Sequence, residues 1–156
     1  MNIMAADREA FLPLLRGAVR PVLLTPHPLE FSRLSGLDMA QIAASRLAVA
    51  RRFATENGVF LLLKGAGTVL AAPDGRVSVN TSGSSALAKG GSGDVLSGML
   101  AALLAMGAEP FDALCLGAYL HGRAGEEAEK IYSAYGVLPG ELPLFAARLL
   151  AKITGK

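Results

Sequence analysis

Residues 38–65 read DMAQIAASRLAVARRFATENGVFLLLKG, and this stretch decides the fold class. Its first part places apolar residues at helical spacing, with Asp38 as a typical N-cap and Gly58 as a typical helix end. The unbroken apolar run Val59–Leu63 then predicts a strand that ends at Lys64. A strand without polar alternation is typical of a sheet that helices cover on both faces. The stretch therefore predicts an α/β protein.

The flanking segments continue this alternation of strands and helices. Before and after this stretch, the patterns predict a helix over 7–16 with Phe11, Leu14 and Leu15 on its apolar side, a strand over 22–25 and a hairpin over 69–79. A loop over 82–93 follows. The remainder is predicted to form three helices, from Asp94 to about Met106, from Pro110 past His121 and from about Pro139 to Ile153. Because the sheet is thin for so many apolar helices, we expect residues 1–156 to form one partial domain, completed by more chain or by a partner.

Composition excludes several classes of protein. The chain is 52% hydrophobic and 18% charged, which excludes a disordered protein. Its net charge of +2 comes from scattered side chains, so we expect no nucleic-acid partner. The apolar stretch over 95–120 is interrupted too early to span a membrane. Two histidines and the single Cys115, which we expect to be buried and inert, predict no metal site and fit a cytoplasmic protein.

The strongest candidate site is Lys89-Gly90-Gly91-Ser92-Gly93-Asp94, directly before an apolar helix. Glycines let backbone N–H groups approach an anion closely, and the positive end of the helix dipole adds to the attraction. Asp94 would then lie beside a phosphoryl group held by these amides. The alternative is a tight turn in which Asp94 only caps the helix. The spacing differs from that of a Walker loop.

Two further motifs follow predicted strands. Lys64-Gly65-Ala66-Gly67-Thr68 lies at the carboxyl end of a strand, where open α/β sheets bind ligands, although such turns are also common elsewhere. Thr25-Pro26-His27-Pro28-Leu29-Glu30 restricts the backbone on both sides of His27, which would hold the imidazole in one direction or simply form a rigid loop. His121 lies at helical spacing and is predicted to be a structural residue of its helix.

In this order, the three motifs resemble the signature of the ADP-dependent NAD(P)H-hydrate dehydratases of the ribokinase-like superfamily. The resemblance continues through Ala72-Pro73-Asp74-Gly75-Arg76 and through Tyr119–Gly125. It implies a ribokinase-like, three-layer αβα fold. Because domains of this family are longer, it also implies that the chain is the C-terminal portion of such a domain.

The resemblance further implies roles for the site residues. His27 and Asp94 would contact the hydrated nicotinamide of NADH or NADPH, with Asp94 as general base. The nucleotide, ADP or ATP with Mg²⁺, would lie on Lys64, Gly65, Ala66, Gly67 and Thr68 and on Gly90, Gly91, Ser92 and Gly93. The resemblance implies that the phosphoryl group of ADP activates the C6 hydroxyl of the hydrate. Elimination then restores NADH or NADPH and leaves AMP and phosphate.

Some features leave alternatives open. Leu29 and the loop Ser82–Leu87 differ from the family pattern beside the site. The chain could be a non-catalytic nucleotide-binding remnant, or a related kinase of a thiazole or pyrimidine alcohol, although the Pro-His-Pro and Lys-Gly-Ala-Gly-Thr elements favour the dehydratase. The missing part of the domain predicts either a homo-oligomer or an N-terminal half supplied elsewhere.

Overall fold

The computed structural model describes residues 7–155, which separate into two compact units on either side of the bond between Val79 and Asn80. The first unit contains a small sheet and its helices, and the second is helical. The expectation that residues 1–156 form one partial domain stays a prediction.

The first unit alternates helices and strands, as the sequence predicts. Its helices are α1 (Arg8–Arg16), α2 (Pro28–Ser35), α3 (Met39–Ala44) and α4 (Arg46–Asn57). Its strands are β1 (Leu23–Leu24), β2 (Phe60–Leu63), β3 (Thr68–Ala71) and β4 (Val77–Asn80), of which only the last residue, Asn80, is counted with the second unit. The first strand is shorter than the predicted segment 22–25.

The sheet has the order β1-β2-β3-β4. β1 and β2 are parallel, with Leu23 opposite Phe60, whereas β2 and β3 are antiparallel, with Leu62 opposite Leu70. The predicted hairpin is confirmed, because the amide of Ala72 donates to the carbonyl of Arg76 at 2.9 Å. In its turn, a hydrogen bond from the backbone of Arg76 lowers the pKa of Asp74.

The core of the first unit lies between the sheet and its helices. Phe31 of α2 and Phe53 of α4 meet edge to face, with their ring centroids 5.3 Å apart. Leu61 and Leu63 of β2 are fully buried in the same cluster, which confirms the strand predicted from the apolar run. The strands that precede the His27 and Lys64 motifs, β1 and β2, are therefore packed in the core of the first unit.

Three expectations for this unit are wrong in detail. The helix predicted after Asp38 is two helices, broken at Ser45, where φ is −146° and ψ is 44°. Serine competes for backbone hydrogen bonds and tolerates such a break. The segment after His27, predicted as loop, is helix α2. Leu14 of α1 is exposed, and Leu12 packs against the core in its place.

The second unit consists of long helices with a loop before them. Its helices are α5 (Ser92–Ala105), α6 (Pro110–Gly136) and α7 (Leu142–Thr154), with short 3₁₀ turns at Ser85–Leu87 and Pro139–Glu141. The predicted helices are thus confirmed, with α5 beginning two residues before Asp94. Ser133, with φ 60°, interrupts α6 near its end. No helix within residues 7–155 is long and apolar enough to cross a membrane.

Candidate functional site

His27 is the N-cap of α2, and its imidazole is held by a reciprocal capping box. The amide of Glu30 donates to Nδ1 of His27 at 3.2 Å, and the amide of His27 donates to Oε2 of Glu30 at 2.8 Å. Since Nδ1 accepts a hydrogen bond, the neutral ring carries its proton on Nε2. His27 is exposed, so this Nε2–H is an available donor at the amino end of a helix.

Glu30 also connects His27 to Lys64. Its Oε2 lies 3.5 Å from Nε2 of His27 and 3.9 Å from Nζ of Lys64. The amide of Lys64 donates to the carbonyl of Pro26 at 2.9 Å, which ties the ends of β1 and β2 together. The structure therefore brings together two sequence-predicted site residues, His27 and Lys64, around a carboxylate.

The turn after Lys64 is glycine-rich because of its backbone conformation. Gly65 has φ 147° and Gly67 has φ 66°, values that L side chains rarely adopt. The hydroxyl of Thr68 donates to the carbonyl of Gly65 at 3.0 Å and closes the turn. Gly65, Ala66 and Gly67 are exposed, so their backbone is accessible to a ligand.

In the second unit, the glycine loop presents unpaired amides at the start of α5. Gly91 is the N-cap, with φ 91°, and its carbonyl accepts from the amides of Asp94 and Val95, each at 3.1 Å. Within residues 7–155, no acceptor is paired with the amide of Gly90, Gly91 or Gly93. Amides at the positive end of a helix form an anion-binding arrangement.

Asp94 lies in the first turn of α5, and its side chain is exposed. It is not the N-cap, so the alternative in which Asp94 only caps the helix is wrong; Gly91 holds that position, without a side-chain cap. A carboxylate in the first turn is stabilised by the helix dipole. The exposed carboxylate of Asp94 therefore lies at the same helix start as the unpaired glycine amides, and its catalytic role stays a prediction.

Ser92 and His121 anchor this loop. Nε2 of His121 lies 3.2 Å from Oγ of Ser92 and 3.0 Å from its carbonyl oxygen. Both residues are buried, at 3% and 8% exposure, so the hydroxyl of Ser92 faces α6. This confirms the structural role predicted for His121. The predicted role of Ser92 in nucleotide binding stays a prediction.

Lys89 opens the glycine motif, and its side chain is occupied by backbone acceptors. Its Nζ donates to the carbonyls of Tyr135 at 2.8 Å and Val137 at 2.7 Å. These carbonyls follow the interruption of α6 at Ser133. Lys89 thus holds the loop against the end of α6.

The loop after Asn80, which departs from the family pattern, is also held by α6. Asn80 donates to the carbonyl of Ala118 at 3.2 Å, and Oγ of Ser82 donates to the carbonyl of Tyr119 at 3.2 Å. The amide of Gly83 donates to Oε1 of Glu126 at 2.7 Å. These bonds attach the loop to α6 although its residues differ from the expected ones.

The comparison with known families decides the assignment. The family model described as NAD(P)H-hydrate dehydratase matches residues 3–144, a range that includes all three motifs. The chain belongs to this family.

This member of the NAD(P)H-hydrate dehydratase family is similar in sequence to two bacterial relatives. The ADP-dependent (S)-NAD(P)H-hydrate dehydratase of Neisseria meningitidis is 43% identical over 155 residues, which cover 99% of this chain and 52% of that protein. The bifunctional NAD(P)H-hydrate repair enzyme Nnr of Moorella thermoacetica is 42% identical over 153 residues, which cover 98% of this chain and 28% of that protein. The chain thus spans about half of the first relative's length and less of the second's.

Solved structures agree with the family assignment. The ADP/ATP-dependent NAD(P)H-hydrate dehydratase of Bacillus subtilis, co-crystallised with ATP/Mg²⁺, matches with a TM-score of 0.81 and 38% identity, covering 85% of this chain and 48% of that one. A ribokinase-like superfamily protein of Enterococcus faecalis matches with a TM-score of 0.69 and 31% identity, covering 89% of this chain and 50% of that one. The predicted α/β, ribokinase-like fold is confirmed; its identity as the C-terminal portion stays a prediction.

In this family member, the predicted site residues belong to different units: His27 and Lys64–Thr68 to the first, Gly90–Asp94 to the second. Among residues 7–155, no group of three His, Cys, Asp or Glu side chains could hold a metal ion. Cys115 is half-buried rather than buried, because one side of α6 around it faces outward.

Sequence reasoning also missed supporting residues. Glu30 orients His27, and its signal was available, since Pro28 and a glutamate three residues after His27 are typical of a capping box. Arg46, which contacts the turn after Lys64, and Glu126, which holds Gly83, carry no local signal, since their partners are 20 and 43 residues away along the chain.

Proposed function

We propose that the chain carries part of the active site of an ADP-dependent NAD(P)H-hydrate dehydratase. The reaction dehydrates hydrated NADH or NADPH to NADH or NADPH and releases AMP and phosphate. Family membership and 43% identity to the N. meningitidis dehydratase over nearly the whole chain support this proposal. The chain spans about half of that relative, so the complete activity is proposed and not assigned.

One observation carries the proposal: an exposed carboxylate, Asp94, directly follows glycine amides that have no partner among residues 7–155. Peptide N–H groups at a helix start are suited to hold phosphoryl oxygens without rearranging during the reaction. A carboxylate beside them is suited to remove the proton of the hydroxyl that the phosphoryl group activates. We therefore assign the general base to Asp94 and the anion site to Gly90–Gly93.

For residues of the first unit, we propose separate ligand contacts. His27 offers an Nε2–H donor whose direction Glu30 maintains, which suits a contact with the hydrated nicotinamide. Nζ of Lys64 lies 3.9 Å from Oε2 of Glu30, a distance at which the ammonium can turn toward a nucleotide. The exposed backbone of Gly65–Gly67 would lie along the AMP part of that nucleotide.

The described residues fit a nucleotide that brings its own metal ion. Mg²⁺ keeps several waters and usually binds substrate phosphates with only one or two carboxylates. Residues 7–155 contain one exposed carboxylate in the glycine motif, Asp94, and no cage of metal ligands. We therefore propose ADP or ATP with Mg²⁺ as the cofactor, the ion neutralising charge on the phosphates.

The proposed function is tested by measuring how much NADH is recovered from its hydrate. Hydrated NADH, ADP and Mg²⁺ are supplied, and absorbance at 340 nm is followed. Asp94→Asn should reduce the rate by about 10²- to 10⁴-fold, as loss of a general base does, while ADP still binds. Asp112→Asn is a matched control, because it removes an exposed acid from the first turn of α6 and should leave the rate unchanged.

The second candidate is a nucleotide-binding remnant without turnover, since the amides of Gly90, Gly91 and Gly93, which have no acceptor among residues 7–155, are suited to bind a phosphate whether or not turnover follows. ADP binding without recovery at 340 nm would support the remnant. Phosphorylation of a thiazole or pyrimidine alcohol would instead support a kinase and contradict both.

We also propose that a further segment or a second copy of the chain completes the site, and that the protein acts in the cytoplasm on small molecules only. Light scattering at micromolar concentration tests the assembly. A monomer that turns over the hydrate alone would contradict it.

A further inference from the structure

We infer that Arg46 is a positioning residue that turns the amides after Lys64 toward the nucleotide. The inference rests on the proposed function, which places the nucleotide on this turn. Arg46 begins α4 directly after the break at Ser45. The break directs its side chain to the carboxyl end of β2.

The guanidinium of Arg46 binds carbonyl oxygens of the turn. Nη2 donates to the carbonyls of Leu63 at 3.2 Å and Lys64 at 3.1 Å, and Nη1 donates to that of Ala66 at 3.4 Å. The guanidinium presents its donors in a rigid planar fork, so one side chain binds three carbonyls of the turn in a fixed geometry. Among residues 7–155, the buried Nε of Arg46 has no hydrogen-bond partner, so the side chain leaves one donor unpaired in this geometry.

The planarity of the peptide bond gives these contacts a consequence. In a trans peptide, the carbonyl of one residue points opposite to the amide of the next. Because the carbonyls of Lys64 and Ala66 face Arg46, the amides of Gly65 and Gly67 point away from it. The hydroxyl of Thr68 occupies the carbonyl of Gly65. The turn therefore presents donors on one side and keeps its acceptors on the other.

Pairing within the chain leaves those donors available. Among residues 7–155, no acceptor is paired with the amides of Gly65, Ala66 or Gly67. An anion beside these amides is attracted by their N–H dipoles and by the positive charge of Arg46 on the other side of the turn. Without Arg46, the carbonyls could turn to the same side, and their oxygens would repel phosphate or compete for the amides.

Gly65 fits this arrangement closely. A Cβ at this position would lie 2.6 Å from Nη1 and 2.8 Å from Nη2 of Arg46, so the guanidinium packs directly against the glycine backbone. Arg46 thus contacts the turn and not the ligand. Its substitution should affect nucleotide affinity and leave the chemical step unchanged.

The test compares Arg46→Met and Arg46→Lys with Arg52→Met, which removes an exposed arginine from the same helix. Calorimetry measures the Kd of ADP and AMP, and the assay at 340 nm gives KM for ADP and kcat. Arg46→Met should raise both Kd values and the KM by about ten-fold, the contribution of one charge-assisted hydrogen bond, with kcat unchanged at saturating ADP. Arg46→Lys should recover part of the loss, and Arg52→Met should match the wild type.

Amide NMR spectra provide a readout that does not depend on turnover. Arg46→Met should shift the resonances of Gly65, Ala66 and Gly67 while those of α6 and α7 stay in place. A folded Arg46→Met variant with wild-type ADP affinity would overturn the inference and leave the proposed function intact. If the wild type does not bind ADP, the proposed function fails. Unchanged Gly65 and Gly67 resonances would then overturn the role of Arg46, and shifts confined to the turn would support it.

Discussion

The ammonium nitrogen of Lys89 lies 2.7 Å from the carbonyl oxygen of Val137. A lysine beside a glycine-rich anion loop would ordinarily be assigned to a phosphate. Here its donors satisfy carbonyls that follow the end of a regular helix, where intrahelical partners are missing. The interruption at Ser133, with φ 60°, is a conformation that persists only where surrounding contacts maintain it. Lys89 therefore links the glycine loop to the last turn of α6.

Lys89→Met should destabilise the protein by about 1–3 kcal/mol, because the buried carbonyl of Val137 loses a charged donor. Urea unfolding measures this change. Lys130→Met is the control, since Lys130 is exposed and pairs with Glu127; it should change stability by less than about 1 kcal/mol. Equal stability of the two variants would contradict the anchoring role of Lys89.

The left-handed backbone at Gly91 provides a second prediction. Gly91→Ala should cost about 1–2 kcal/mol, because φ is 91° and a Cβ is unfavourable there, although the nearest atoms of Pro139 are 3.6 Å away. Gly90→Ala should be nearly neutral, since a Cβ at Gly90 meets no atom of residues 7–155 within 4 Å. Thermal unfolding of the pair measures the difference, and a stable Gly91→Ala variant would rule out this backbone requirement.

His27 combines a capping role with the proposed substrate contact, and two substitutions separate them. His27→Asn keeps a good N-cap for α2, so stability should be unchanged while recovery of NADH falls. His27→Ala removes the cap as well and should cost about 1 kcal/mol in addition to activity. Denaturant unfolding and the assay at 340 nm measure the two effects. Full activity of His27→Asn would show that the imidazole only caps the helix.

The close approach of α6 to the loop after Asn80 depends on Gly122. A Cβ there would lie 2.7 Å from backbone atoms of Ser82, so Gly122→Ala should cost about 3 kcal/mol. In the part of the chain that the structure describes, a Cβ at Gly98 of α5 meets no atom within 4 Å, so Gly98→Ala should stabilise the protein by about 0.5–1 kcal/mol. Thermal midpoints report both changes. If Gly122→Ala unfolded at the wild-type temperature, the loop would have to be free to move.

Local patterns were sufficient for much of the fold. The apolar run Val59–Leu63, the hairpin turn at Asp74 and the helix starts at Pro110 and within the glycine motif depend on residues within a few positions of each other. The break at Ser45 and helix α2 were missed, because a serine does not end a helix by itself and a capping box is a weaker signal than apolar periodicity.

By itself, the sequence determined the alternation of elements, the glycine motifs and the family resemblance, because periodicity, φ preferences and residue order are properties of neighbouring positions. Only the tertiary structure decided which side chains hold these motifs in shape. Arg46 meets Lys64 across 18 positions, and Lys89 meets Val137 across 48. Every residue has a backbone carbonyl, so the amino-acid sequence does not indicate which carbonyl a distant side chain will bind.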